Sequence, residues 1–285
     1  MTLPFIALIF IFHYLPLFGW IYAFSDSMPG KISSLHFVGL GMFKRMFSVG
    51  SAFGNSLRNS LVMSFLHILL SPVPVIFALC LAEVKNSKVS RVVQTITSLP
   101  NFVSWVLVYA VFFVFFSSQG VINTVLLDFN LIKEPLNVLA NEDYAWYFQA
   151  LVGLWKTTGW SAIIYIAALA GVDRELYDAA NVDGAGRFGK ILHVSLPGLA
   201  QTYFVLLMLS IGSLLNTGFE QFYVFRNPSV MNKINVLDVY IYTQGISNME
   251  FGYATAVGMA RSLVSILLLL TVNTLSKRVR GESLV

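Results

Sequence analysis

The stretch Glu175–Ala200, "ELYDAANVDGAGRFGKILHVSLPGLA", decides how the chain is read, because it carries two conflicting signals. Gly184, Gly189 and Lys190 have the Gly-x-x-x-x-Gly-Lys spacing of a phosphate-binding loop. A working loop of that kind follows a buried β-strand and needs Ser or Thr after the lysine to hold Mg²⁺. Here Ile191 takes that position, and the lead-in has the period of a helix. Asp173 stands where an N-cap belongs, with Glu175 in the first turn where the helix dipole favours an acid. Leu176, Ala179 and Ala180 then recur at i, i+3, i+4. Asp183-Gly184 is a turn signal, Phe188, Ile191 and Leu192 repeat the spacing, and Pro197 is expected to end a second short helix. The stretch reads as two short helices joined by a turn. The phosphate-loop spacing is coincidental, and the chain is not an ATPase.

The surroundings say where this charged island lies. Of 285 residues, 56% are hydrophobic and 11% charged, and the mean hydropathy is +0.73. A soluble domain carries about 25% charged residues, so lipid must cover much of this surface. A helix needs about 20 apolar residues to cross a bilayer. Six stretches meet that length: Leu3–Phe24, Ser60–Leu81, Ile96–Phe116, Trp146–Ala170, Leu199–Gly218 and Ala254–Leu275. The expectation is an all-α, multi-pass membrane protein with one transmembrane domain over residues 1–285. Residues 171–198 then form a loop between the fourth and fifth spans. Pro72 and Pro74 should kink the second span.

The net charge of +4 raises the question of nucleic acid, but the positions of the charges answer it otherwise. With both termini inside, the inner segments hold nine of the 18 Lys and Arg residues: Lys85, Lys88, Arg91, Arg174, Arg187, Lys190, Lys277, Arg278 and Arg280. The longer outer segments, three loops of about 30 residues in this reading, hold six: Lys31, Lys44, Arg45, Lys133, Arg226 and Lys233. This is the bias that orients membrane proteins. It gives a multi-pass protein of a cytoplasmic membrane with both termini cytoplasmic, contacting lipid and no nucleic acid. Cys80 is the single cysteine, so it has no intrachain disulfide partner. The first span starts at Leu3 without a basic lead or a small-residue cleavage site, and reads as a true helix rather than a signal peptide.

Three cations fall in or beside spans: Arg58, Lys156 and Arg261. An intramembrane charge is costly and is normally paired or turned to a water-filled cavity. Arg58 is expected to snorkel to the outer interface. Lys156 and Arg261 lie roughly 10–15 Å deep at 1.5 Å of rise per residue, and either internal pairing or a place on a substrate pathway would account for them. Glu220 is the one acid near them in these helices, and no acid is expected at their own depth. If no carboxylate pairs with them, a uronate oligomer could supply one. Ser210, Ser213, Asn216 and Thr217 form a polar stripe on the fifth span, suited equally to a pathway or to helix–helix contact. Phe219, Phe222, Tyr223 and Phe225 beyond it could stack on sugar rings, but an interfacial aromatic belt is the preferred expectation.

The loop resembles a known signature. Permease subunits of binding-protein-dependent ABC importers carry Glu-Ala-Ala, three residues, Gly, nine residues, then Ile-x-Leu-Pro. Asp178-Ala179-Ala180, Gly184 and Val194-Ser195-Leu196-Pro197 match every spacing, with Asp178 for Glu and Val194 for Ile. "FHYLPLFGWIYAF" (12–24), "WKTTGW" (155–160), "LNTGFEQFYVFRNP" (215–228) and "YATAVGMARSLV" (253–264) are similar to the LplB-type branch, which serves oligosaccharide and polysaccharide importers. The resemblance implies a type I importer permease with no cofactor of its own, ATP and Mg²⁺ being held by a cytoplasmic ATPase dimer. A second permease, making a heterodimer, and an extracytoplasmic solute-binding protein complete the assembly. The site that couples to the ATPase would be Asp178, Ala179, Ala180, Gly184, Leu196 and Pro197. Asp178 would pair with a basic residue of the ATPase, and Gly184 would make the turn.

Two other classes fare less well. An ion-coupled transporter predicts paired broken helices in two halves, and no such pair is read here. An enzyme needs a catalytic constellation, but His13, His36, His67 and His193 lie on different segments and no His-Glu-x-x-His occurs.

Overall fold

The computed structural model describes residues 2–26, 36–48 and 50–280. Lys31 and the tail from residue 281 on lie outside the described residues, as do the side chains of Arg278 and Arg280. Among the described residues there is no strand, only an isolated antiparallel bridge between Ser25 and Phe37 that closes the first outer segment. The helices are α1 (Leu3–Ile9), α2 (Gly41–Met46), α3 (Phe53–Leu70), α4 (Pro72–Ala82), α5 (Ser87–Phe102), α6 (Trp105–Phe116), α7 (Val121–Asp128) and α8 (Ala145–Ala170). The second half adds α9 (Arg174–Val182), α10 (Arg187–Lys190), α11 (Leu196–Gly212), α12 (Glu220–Val224), α13 (Met231–Ile234), α14 (Leu237–Tyr242) and α15 (Phe251–Arg280).

Five helical runs are long and apolar enough to cross a membrane: Leu3–Phe24, Phe53–Ala82, Trp105–Asp128, Arg187–Gly212 and Phe251–Thr274. The predicted fourth span is the helix α8. Its 26 residues reach across a bilayer, but it falls short of the hydropathy of the other five. Lys156-Thr157-Thr158-Gly159 at its centre are the reason. The first span packs on the bundle only through its second half, and 0% of its apolar window is buried.

The prolines shape these spans. Pro72 opens α4, and the second span bends at Ser71, whose hydroxyl donates to the Ile68 carbonyl at 2.7 Å and meets Tyr203 Oη at 3.0 Å. Pro16 and Pro197 each stand two residues past a π turn, Phe10–Tyr14 and Ile191–Ser195. A proline ring collides with the carbonyl four residues back and leaves it without a donor. A π turn widens the coil there and absorbs the conflict. The expectation that Pro197 ends a second short helix is therefore corrected, because helix runs without interruption of direction from Arg187 to Gly212.

Two other spans have different bounds from those expected, Trp105–Asp128 and Arg187–Gly212. The third does not run from Ile96 to Phe116; α5 ends at Phe102 and α6 restarts at Trp105, with Ser104 Oγ accepting from the Leu107 amide. The fifth ends at Gly212 instead of Gly218. What was read as a third outer loop is not a surface loop. It folds back as α12–α14, and Phe222, Ile234, Val236, Leu237 and Val239 are at most 1% exposed. Phe222, Ile234, Val236 and Val239 form the outer core with Met63, Val108 and Val152. A second core joins the first span, α3 and α15 through Ala23, Phe53, Leu237 and Val257. A third, around Val75, Ala78, Ala162, Tyr165 and Leu199, holds α4, α8 and α11 together.

The helices α5 and α8 cross at Gly159. A Cβ there would stand 2.1 Å from the Thr97 carbonyl oxygen and 2.7 Å from the Ser98 nitrogen, both backbone atoms that have no side chain to swing aside. Small residues at such crossings are how membrane helices come close. Gly159→Ala should lower the thermal stability of the purified chain by at least about 1–3 kcal/mol, the ordinary range for overpacking. Gly54→Ala, at a helical glycine with open space around it, should be neutral or stabilising by up to about 1 kcal/mol. Equal melting temperatures for Gly159→Ala and wild type would refute the crossing.

Candidate functional site

The loop between α8 and α11 is built from standard end-structures of helices. α8 stops at Ala170, and Asp173 caps α9 by accepting from the Glu175 amide at 3.0 Å. At the other end the Ala185 amide donates to the Ala180 carbonyl and the Gly184 amide to the Asn181 carbonyl, at 2.9 and 3.1 Å. This bond pair is a Schellman motif, and it requires a left-handed residue at Gly184, where φ is +75°. The Tyr177 hydroxyl meets Ser195 Oγ at 2.9 Å and anchors α9 to the base of the fifth span. Asp178, Ala179, Leu196 and Pro197 are exposed and Ala180 is half-buried. Leu176 is exposed too, and Val182 and Phe188 are each 88% exposed. The loop thus presents a fixed helix with a bare, partly apolar surface and two exposed acids, Glu175 and Asp178. Gly189 and Lys190 fall on the helix that follows the turn, and a helix precedes the turn, so no phosphate cradle forms.

A cavity of about 580 Å³ lies between α3, α4, α6, α8 and α11. His67, Trp105, Thr157, Ser213, Thr217 and Gln221 are among its lining residues. Gln221 is set by donating to Gln149 through both its carbonyl and its side-chain oxygen, at 2.8 and 2.9 Å. The expected polar stripe is not one face of a helix, because α11 ends at Gly212. Ser210 and Ser213 donate back to the carbonyls of Leu206 and Leu209, Thr217 lies on the non-helical stretch beyond, and Asn216 is exposed and outside the cavity wall.

The two deep cations are both engaged within the chain. Lys156, 5% exposed, donates all three ammonium protons: to the carbonyls of Pro100, Asn101 and Val103, at 2.8, 2.9 and 2.7 Å. Its nitrogen lies 5.2 Å from the Trp105 ring centre. These carbonyls lie at the C-terminal end of α5, where a cation suits the helix dipole, and the Pro100 carbonyl also accepts from the Val103 amide at 3.2 Å. Arg261 pairs with Asp238. The other carboxylate oxygen of Asp238 accepts from the backbone amides of Thr217 and Gly218, both at 3.1 Å. The expectation of no acid at this depth is overturned. Asp238 sits in the apolar run "INVLDVYIY" (234–242). That run was assigned to an outer loop, and the length of the run, apolar on both sides of one acid, was the available signal. Glu220 is exposed and pairs with neither cation. Arg261 also borders a second cavity of about 580 Å³ with Trp20, Phe219 and Tyr242.

The remaining side chains divide. Arg58 is exposed, bonded to Asn55 Oδ1 at 2.7 Å and placed over the Trp146 ring. The aromatic belt does not form as expected: Phe222 and Phe225 are core residues, 0% and 2% exposed, while Phe219 and Tyr223 stack on each other and on Tyr242.

Comparison with known proteins agrees with this geometry. Residues 72–281 match the family model for the binding-protein-dependent transport system inner membrane component. Protein LplB of Bacillus subtilis is 39% identical over 288 residues, covering 100% of this chain and 89% of that protein. The polygalacturonan/rhamnogalacturonan transport system permease protein YteP of the same organism is 37% identical, with 100% and 88% covered. Among solved structures, a bacterial ABC transporter involved in the import of the acidic polysaccharide alginate superposes with a TM-score of 0.89 at 31% identity, covering 98% of this chain and 94% of that one. The same kind of transporter solved with an alginate pentasaccharide-bound periplasmic protein also gives 0.89. An all-helical bundle with a capped, uncovered helix between its spans, matched over its whole length by importer permeases, belongs to the family of binding-protein-dependent ABC importer permeases, as a transport subunit without catalytic chemistry of its own.

Proposed function

We propose that this chain forms half of the pathway for an oligosaccharide and is driven through α9. The observation that carries this is the state of α9: fixed at both ends by hydrogen bonds, yet uncovered on its outer face. A helix so rigidly held is suited to transmit force from a partner. The partners are a cytoplasmic ATPase dimer that binds ATP and Mg²⁺, a second permease making a heterodimer, and an extracytoplasmic solute-binding protein. Placement in a bacterial inner membrane with both termini cytoplasmic follows from the basic residues of the inner segments.

In this reading Asp178 pairs with a basic residue in the ATPase cleft, with Ala179 and Ala180 beside it, Gly184 forming the turn, and Leu196 and Pro197 closing the loop at the fifth span. Nucleotide-driven closure of the ATPases moves α9, and α8 and α11 follow because they are joined to it by short, hydrogen-bonded connections. The cavity containing Ser213 and Thr217 is this chain's share of the path. Asn216 lies at its outer margin. Lys156 and Arg261 shape the path rather than bind the sugar, since each already has internal partners. This wall therefore holds saccharide through hydroxyl contacts. The relatives act on acidic as well as other saccharides by their names, so carboxylates of such a substrate would be met chiefly by the other subunits.

The experiment is reconstitution of the full complex in proteoliposomes with its binding protein. Asp178→Lys should insert and assemble normally but lose binding-protein-stimulated ATP hydrolysis, because it sets two cations against each other at the docking site. Hydrolysis at the wild-type rate would remove Asp178 from the coupling role. Gly184→Val should lose copurification with the ATPase, since a β-branched residue reaches a positive φ only with strain; retained assembly with full transport would count against the turn. Arg261→Met should depress uptake of acidic and neutral oligosaccharides alike, and its stability cost, about 3–5 kcal/mol for a broken buried pair, should shrink in an Asp238→Asn background. Selective loss of acidic uptake would give the guanidinium a direct part in binding.

A further inference from the structure

Lys156 does more than fill a gap in hydrogen bonding. It joins three parts of the molecule that the transport reading needs to move together. α8 runs unbroken from Ala145 to Ala170 and passes through Gly171–Asp173 directly into α9. Halfway along it, Lys156 holds the carbonyls of Pro100, Asn101 and Val103 at the end of α5. One turn further, Gly159 lets the α5 backbone lie against α8 with no side chain between them. Immediately after the clasped carbonyls the chain breaks at Val103 and Ser104, then restarts as α6 at Trp105. Trp105 lines the 580 Å³ cavity, and so do Gly153 and Thr157 on α8 itself.

We infer that Lys156 is a positioning residue that makes α5 and α8 a single lever, so that a displacement of α9 is delivered to the α5–α6 joint and to Trp105 in the cavity wall. This rests on the proposal that α9 is where the ATPase acts. The physical ground is that the ammonium has three donors and finds three acceptors in a nearly water-free site. Separating the helices would strand a cation and three carbonyls together, which a low-dielectric interior penalises heavily. Beyond the clasped Val103 carbonyl, by contrast, the joint is held only by local bonds, from the Val103 amide to the Pro100 carbonyl at 3.2 Å and from the Leu107 and Val108 amides to Ser104 Oγ and the Ser104 carbonyl at 3.4 and 3.0 Å, and it is the place left to bend.

The test measures both distance and coupling in the complete complex. Spin labels are placed at Leu99 on α5 and Leu151 on α8, both exposed, after Cys80→Ser removes the chain's single cysteine. In wild type the Leu99–Leu151 distance distribution should stay narrow and keep its peak between the nucleotide-free and ATP-trapped states. Lys156→Met should broaden it and shift it between those states. In proteoliposomes, Lys156→Met should lower sugar taken up per ATP hydrolysed by about 5- to 150-fold, the usual span of a coupling free energy, with stimulated hydrolysis retained. Lys156→Arg, which keeps the charge and several donors, should restore much of the ratio. A wild-type peak that moves between states overturns the lever whether or not any variant folds. An unchanged uptake ratio in Lys156→Met overturns it as well. Absence of ATP-driven uptake in the wild-type complex would instead sink the importer reading on which the inference stands.

Discussion

Inside a bilayer a backbone carbonyl or amide that loses its helical partner has no water to replace it. This constraint governs the part of the molecule that matters most for transport. The chain breaks two of its spanning segments beside one cavity, after Phe102 and after Gly212. Backbone groups of one polarity cluster at the first break and of the other polarity beyond the second, and each cluster meets an ion of the opposite kind. Carbonyls at the end of α5 receive the ammonium of Lys156, and the amides of Thr217 and Gly218, ahead of α12, receive the carboxylate of Asp238. Arg261 then balances Asp238. The charges are there because the helices are broken, and the broken ends are what give the cavity its polar wall.

The same logic explains the difference between the inner and outer halves. In the loop between α8 and α11, α9 and its Schellman turn satisfy their own backbone, so the helix is rigid without being covered. Its exposed Val182 and Phe188 need a partner only for their apolar surface. On the outer side, the backbone of α12–α14 is satisfied within short helices and through side chains such as Asn59, which donates to the carbonyls of Asn232 and Asn235 at 2.8 and 3.2 Å. That is why a segment rich in loops can be buried at all.

Membership of the importer permease family fits this division. Broken helices beside a cavity are also a feature of ion-coupled transporters, and the two breaks found here were not anticipated from the sequence. Breaks alone would not separate the two classes. The family match and the whole-length likeness to ABC importer subunits do so.

Much of the protein was legible in the sequence because its signals are local. Hydropathy over a window of about 20 residues marks a span, basic residues beside it mark the inner face, and Asp173, Gly184 and the prolines act within a turn or two of where they stand. The all-α class, the boundaries of the first span, the Ser71 bend and the left-handed turn at Gly184 follow from such signals. What only the tertiary structure decided is who meets whom across the bundle. Lys156 was open to two readings because its acceptors are backbone carbonyls more than fifty positions earlier, and a carbonyl leaves no mark in composition. Arg261 looked unpaired because its carboxylate lies in a segment that hydropathy placed outside, where an apolar run of nine residues is too short to register as a span. Asn216 and Thr217 looked like one stripe because helical spacing continues on paper past Gly212, whereas the amides of Thr217 and Gly218 bond to Asp238 instead of the preceding turn. Long-range partners, not local propensity, set where each helix stops.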